Sequence, residues 1–324
     1  MPAMTKPKIV FLDAGTVDWG DQNFSPLKKI GSLKQHYSTS PAQTIQRVKG
    51  FQHVVLNKVV FDRKTLRALN GVRGLHLSAT GFNNIDLDAA KEYGIAVTNV
   101  RGYSTESVLQ LTFTLLLALA SRLKEYDQAV QAGKWSRQDF FALTQFPFFE
   151  LAGKTLGIVG YGTIGRRVAE TARVFGTKVM IAQIPGRVYS AKEAQGRTAL
   201  KEVLKRSDFV TIHAPLSDAT RGLIGAKEIA LMKKSAFLLN LARGGIIDEK
   251  ALAAALKAKK IAGAATDVLT QEPPPRTHVL YNAPRLILTP HIAWASTEAR
   301  TRVVEEIARN IISYEENGNR NRLV

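Results

Sequence analysis

The chain has 324 residues, with 45 Lys and Arg against 27 Asp and Glu for a formal net charge of +18, and no cysteine. That length suits two domains better than one core, and 45% hydrophobic with 22% charged residues disfavours disorder and fibrous repeats. The missing cysteines exclude a disulfide framework, a thiolate nucleophile and cysteine-ligated metal centres, and no metal site is expected. In chain order, strands are expected at Lys8–Leu12, His53–Asn57, Leu75–Ala79 and Ala96–Asn99, with helices at Pro41–Lys49, Asp62–Leu69 and Asp86–Tyr93. Ser104 through Ala132 reads as one long helix, capped by Ser104 and Thr105 and ending at Gly133. The aromatic stretch Phe140–Glu150 (FFALTQFPFFE) then separates the two halves.

A second series of strands is expected at Thr155–Gly160, Lys178–Gln183, Asp208–His213, Ala236–Leu241, Ala262–Asp267 and Arg285–Leu288. Helices fall at Ile164–Phe175, Lys227–Lys233 and Asp248–Ala258, and Thr297–Glu316 closes the chain. Six strands alternating with helices match a doubly wound dinucleotide fold. The longest apolar run, Leu115–Ala120, is far shorter than the roughly 20 residues a membrane-spanning helix needs. The N-terminal residues lack the apolar core of a signal peptide, so a cytoplasmic protein is expected. The basic pairs Lys28-Lys29, Arg166-Arg167, Lys233-Lys234 and Lys259-Lys260 lie on separate segments and do not interleave with aromatic residues. Nucleic acid is therefore an unlikely partner, and steering of anionic small molecules is the better use of the charge.

The segment Thr155-Leu-Gly-Ile-Val-Gly160-Tyr-Gly162-Thr-Ile-Gly165 carries G-x-G-x-x-G between an apolar strand and a helix. Gly160 permits the tight turn, Gly162 lets backbone N–H groups approach a pyrophosphate, and Gly165 lets helix and strand pack closely. An acid that binds the adenosine ribose usually ends the second strand, but here the strand ends at Gln183 and Arg187 follows a Pro-Gly turn. Three further segments place polar residues after strands: Asn240-Leu-Ala-Arg243-Gly-Gly, Asp267-Val-Leu-Thr-Gln-Glu272-Pro and Thr289-Pro-His291. In a doubly wound sheet these strand ends line the ligand crevice. Singly, Arg243 also reads as a surface ion pair, Glu272 as a loop carboxylate and His291 as a satisfied core histidine.

Together with Ser78-Ala-Thr-Gly-Phe-Asn-Asn-Ile-Asp86, Gly94-Ile-Ala-Val-Thr-Asn99, Gly102-Tyr-Ser-Thr105-Glu-Ser-Val108 and His213-Ala-Pro-Leu216, these segments resemble the D-isomer-specific 2-hydroxyacid dehydrogenase family over nearly the whole chain. Within it, the glycerate dehydrogenase/hydroxypyruvate reductase branch is the most similar. The resemblance implies two doubly wound α/β domains, a Rossmann cofactor domain (101–291) inserted in a flavodoxin-like substrate domain (1–100 and 292–324). Residues 101–150 would serve for dimerisation, giving a homodimer. It further implies that Arg243 binds the substrate carboxylate and carbonyl, that His291 is the acid/base with Glu272 as its partner, and that backbone N–H groups at Thr80 and Gly81 hold the carboxylate. Cofactor contacts would come from Gly160, Gly162, Thr163, Ile164, Gly165, Gln183, Arg187, His213, Ala214, Pro215, Thr220, Leu241, Ala242, Asp267 and Ala293, with Asp267 holding the nicotinamide carboxamide.

Hydride addition to a 2-keto acid builds negative charge on the carbonyl oxygen, which calls for a fixed cation and a proton donor. The expected substrate is accordingly a small 2-keto or 2-hydroxy acid of the hydroxypyruvate or glyoxylate class. The expected cofactor is NADP or NAD, with NADP favoured because Gln183 removes the charge that repels a 2′-phosphate. In this chain Val108-Leu-Gln-Leu111 stands where the family often carries a histidine. Two other readings of the same residues are a nucleotide-sensing, corepressor-like binding protein and a short phosphoglycerate dehydrogenase.

Overall fold

The computed structural model describes residues 6–324; residues 1–5, where the N-terminal leader was sought, lie outside the described residues. The chain forms two compact units, one running to Ser104 and completed by Trp294–Val324, the other Thr105–Ala293.

The first unit contains β1 (Lys8–Phe11), α1 (Ser25–Ile30), β2 (Ser32–Gln35), α2 (Pro41–Val48), β3 (His53–Leu56), α3 (Arg63–Arg67), β4 (Gly74–Leu77), α4 (Leu87–Glu92) and β5 (Ala96–Thr98). Its five strands are all parallel, in the order β2-β1-β3-β4-β5. Because both faces are covered, β1 shows no apolar–polar alternation: Ile9 and Phe11 enter one hydrophobic cluster and Val10 the other. The strand order reverses between β1 and β3, the crevice where this fold usually takes a ligand. Here Asp13 occupies that point. Its buried carboxylate accepts hydrogen bonds from the N–H groups of Asn57 (2.9 Å) and Lys58 (2.7 Å) just beyond β3. Burial pushes its carboxyl up, and these N–H bonds oppose that shift.

The second unit opens with α5 (Thr105–Ala120) and α6 (Leu123–Gln131), then runs β6 (Thr155–Val159), α7 (Thr163–Val174), β7 (Lys178–Gln183), α8 (Ala191–Ala194), β8 (Arg197–Ala199), α9 (Leu200–Arg206), β9 (Phe209–Ile212), α10 (Ala226–Leu231), β10 (Phe237–Asn240), α11 (Glu249–Lys257), β11 (Gly263–Thr266) and β12 (Leu286–Leu288). Its seven parallel strands follow the order β12-β11-β10-β9-β6-β7-β8, with the reversal between β6 and β9. The closing helix α12 (Thr297–Glu315) belongs to the first unit, where Val303, Val304, Ile307 and Ile311 pack into the cluster holding Ile9 and Phe11.

Two expectations need correction. The single helix over Ser104–Ala132 is two, bent by 63° at a break where Arg122 takes a left-handed φ of 57°. Just before the break, the Ser121 hydroxyl donates to the Leu117 carbonyl, a bond that competes with the helix's own ladder. No Gly or Pro marks the point, so the apolar pattern runs through it. The second sheet also has seven strands rather than six. Strand β8 is an edge strand of three residues, too short and polar for an alternation to register, and polar β2 escaped notice in the first sheet for the same reason. No single helix among the described residues is long and apolar enough to cross a membrane.

Candidate active site

The glycine loop leaves β6 at the strand-order reversal and enters α7 at Thr163. A Cβ at Gly160 would lie 2.4 Å from the Ala214 nitrogen, and one at Gly165 would lie 2.1 Å from the Gly160 carbonyl oxygen, so the backbones touch where no side chain fits. At Gly162 a Cβ would meet nothing within 4 Å. That glycine keeps open space over the first turn of α7, whose leading N–H groups have no intrahelical acceptor and no side-chain cap. An open cradle at the positive end of a helix suits a pyrophosphate. Thr163 is exposed and Ile164 half-buried at this end, and Gly165 is packed beneath them.

The wall facing the loop is the turn after β9. The N–H of His213 donates to the Val159 carbonyl (2.7 Å), and Ala214 is buried against Gly160. The imidazole Nε2 of His213 lies 3.0 Å from the Thr211 hydroxyl, while Nδ1 is enclosed with no partner. Burial pushes this imidazole down to about 4, which keeps it neutral at physiological pH. Pro215 is exposed, and the buried Thr220 hydroxyl donates to its carbonyl (2.6 Å), fixing the turn. On the far side of β6, Gln183 ends β7 half-buried. Arg187 is exposed, 3.4 Å from the Glu193 carboxylate and stacked over Tyr189.

Arg243, Glu272 and His291 follow β10, β11 and β12, three adjacent parallel strands, so all lie at one end of the sheet. The Asn240 side chain shapes the first loop: its amide donates to the Arg243 carbonyl (2.9 Å) and its oxygen accepts from Ala242 N–H (3.1 Å). Leu241 is buried in the core below and Ala242 half-buried. Arg243 is exposed, its guanidinium bonded only to the Ala242 carbonyl (2.7 Å), with no carboxylate partner among the described residues. The ion-pair reading of Arg243 thus finds no support.

Glu272 is held at both oxygens. Oε1 accepts from the Leu269 N–H (2.9 Å), and Oε2 lies 2.5 Å from His291 Nδ1. A carboxylate can only accept, so Nδ1 carries the hydrogen and Nε2 is the nitrogen left to exchange a proton. The side chains are 31% and 35% exposed, open enough for a substrate to reach, and His291 is no enclosed core residue. His291 takes a left-handed φ of 55°, an uncommon setting for a side-chain-bearing residue.

Asp267 explains how that setting is kept. Its carboxylate, 1% exposed, accepts from the Thr289 hydroxyl (2.6 Å), the Ile292 N–H (2.9 Å) and the Ala293 N–H (2.8 Å), clamping the loop on both sides of His291. The structure thus places Asp267 just past the end of β11, beside the loop that carries His291.

The matching family model, "D-isomer specific 2-hydroxyacid dehydrogenase, NAD binding domain", covers residues 113–293. The chain is 36% identical to a glycerate dehydrogenase of Methylorubrum extorquens, over 96% of this chain and 96% of that protein. It is 34% identical to a hydroxypyruvate reductase of Blautia hydrogenotrophica, over 94% and 95%. The chain belongs to the D-isomer-specific 2-hydroxyacid dehydrogenase family.

The dehydrogenase also superposes on an acyclic imino acid reductase solved with NADPH and D-Arg, at a TM-score of 0.84 and 27% identity, covering 98% of this chain and 100% of that one. It is thus an oxidoreductase of 2-hydroxy acids that uses a nicotinamide cofactor, and the glycine loop, uncapped helix end and neutral His213 wall fit such a group. In the first unit, the Thr80 hydroxyl donates to the Val100 carbonyl (2.7 Å) and the Thr80 carbonyl accepts from the Asn99 amide (2.8 Å). The N–H groups of Thr80 and Gly81 have no acceptor among the described residues. Reading the sequence missed the shaping roles of Asn240, Asp13 and Asp267. Each works by binding backbone groups brought close by loop folding, and no spacing rule signals that.

Proposed function

We propose that this enzyme reduces a small 2-keto acid of the hydroxypyruvate or glyoxylate class, with His291 donating the proton. The observation that carries it is the 2.5 Å His291–Glu272 pair, set after β12 and β11 in the same run of adjacent strands as β10, which leads to Arg243, a residue with no carboxylate partner among the described residues. The reduced nicotinamide supplies the hydride when bound. Arg243 holds the substrate carboxylate and steadies the charge that grows on the carbonyl oxygen, since a guanidinium keeps its charge and offers a two-pronged donor. His291 Nε2 delivers the proton to that oxygen, and Glu272 keeps the ring in the tautomer and orientation this needs. Asp267 holds the His291 loop, with a role at the carboxamide proposed beside it. For Thr80 and Gly81 the proposal is that their N–H groups donate to a carboxylate.

The names of the glycerate dehydrogenase and hydroxypyruvate reductase relatives favour the substrate class. The intact His291–Glu272 pair disfavours the sensor reading, which has no use for a proton donor. A panel of 2-keto acids with each reduced cofactor, followed by nicotinamide absorbance, tests the proposal. Turnover of hydroxypyruvate or glyoxylate is expected, and no turnover of any 2-keto acid would favour the sensor. NADPH is proposed to serve at least as well as NADH, because Gln183 replaces the repelling acid.

A homodimer through residues 101–150 is also proposed. Trp135, Phe140, Phe141 and Phe148 expose 53%, 56%, 90% and 62% of their surface in one segment, more aromatic surface than a lone subunit usually leaves wet. Light scattering should give twice the 35.6 kDa chain mass at micromolar concentration; a monomer mass would refute it.

A further inference from the structure

Three arginines and two tyrosines form a continuous stack beside the glycine loop. Arg166 lies over the Tyr161 ring (5.6 Å to the centroid), and Arg187 lies over Tyr189 (5.0 Å). Arg197 lies over both rings, at 5.7 Å from Tyr161 and 4.8 Å from Tyr189. Tyr161 sits inside the glycine loop itself, and the Tyr189 hydroxyl accepts from the Ile184 N–H (2.8 Å), one residue past Gln183. The stack therefore spans from the pyrophosphate cradle to the strand end where a dinucleotide presents its adenosine ribose.

Arg197 is the fixed member. Its Nε donates to the Glu193 carbonyl (2.6 Å) and Nη1 to the Ala182 carbonyl (3.4 Å), while Nη2 has no acceptor among the described residues. Arg187 is exposed and shared with Glu193. Among the described residues, only Arg187 of the three guanidiniums lies within ion-pair distance of a carboxylate, and the one held between two rings loses the least freedom on gripping an anion. We propose that Arg197, clasped by Tyr161 and Tyr189, is the residue that selects a 2′-phosphorylated dinucleotide, with Arg166 and Arg187 adding positive potential. This rests on the NADPH reading above and adds to the missing acid at Gln183 an attracting residue, Arg197, on an edge strand the sequence did not reveal.

Calorimetric titration with 2′,5′-ADP and with 5′-ADP, fragments that need no catalysis, tests it in the full-length protein. The wild type should bind 2′,5′-ADP about tenfold more tightly than 5′-ADP, as one charge-assisted contact allows. Arg197→Gln should erase that difference while leaving 5′-ADP affinity within about twofold, which also shows that the variant is folded. A preference that survives in Arg197→Gln overturns the assignment and leaves the NADPH reading standing. Equal binding of the two nucleotides by the wild type overturns both.

Discussion

Replacing His291 by alanine is expected to lower kcat for keto-acid reduction by about 10²–10⁴-fold, the usual worth of a positioned proton donor. The alkoxide that forms as hydride arrives must be protonated, and without Nε2 only water can do it. The fold should survive. Glu272 keeps its bond from the Leu269 N–H, and its side chain, 35% exposed, reaches water when the imidazole is gone. The variant should therefore keep its melting temperature and its affinity for nucleotide. Steady-state kinetics on hydroxypyruvate checks this, and a kcat within a few-fold of wild type would remove His291 from the reaction.

Arg243→Ala is expected to cost about 10²–10⁴-fold in kcat/KM, the equivalent of two charge-assisted hydrogen bonds. Because the guanidinium holds the carboxylate before and during hydride transfer, KM rises as well as kcat falling, whereas the His291 variant loses mainly kcat. Arg243 makes no ion pair among the described residues and donates only to the Ala242 carbonyl, so little stability should be lost with it. Arg243→Lys should recover part of the activity, since an ammonium keeps the charge but not the fork. If Arg243→Ala stays within a few-fold of wild-type kcat/KM, the substrate carboxylate is held elsewhere.

The parts of this enzyme legible in its sequence are those where chemistry dictates local spacing. The glycines of the loop could be read because each position demands a missing side chain, and the structure shows Gly160 and Gly165 in close backbone contact. Buried parallel strands such as β9 and β10 could be read because both faces are covered and every residue is apolar or nearly so. What escaped lies where long-range contacts decide. Arg122 breaks a helix without any breaker residue, and the short edge strands β2 and β8 are polar. The hold of the Asp267 carboxylate on Thr289, Ile292 and Ala293 also escaped, because loop folding and not spacing brings those groups to it. The arginine–tyrosine stack stayed hidden with β8, since Tyr161 and Arg197 meet only once that strand is laid beside β7.

A double-mutant cycle on kcat for reduction, built from Glu272→Gln and His291→Ala, tests the central claim that a carboxylate-held imidazole donates the proton. Glu272→Gln keeps an oxygen that can accept from Nδ1, 2.5 Å away in the wild type, but replaces a charge-assisted bond by a neutral one. If Glu272 acts through the ring, that change should slow reduction while His291 is present and cost little once it is absent. The double variant should therefore be about as slow as His291→Ala alone. Losses that simply multiply would contradict the pairing and the proton-donor role built on it.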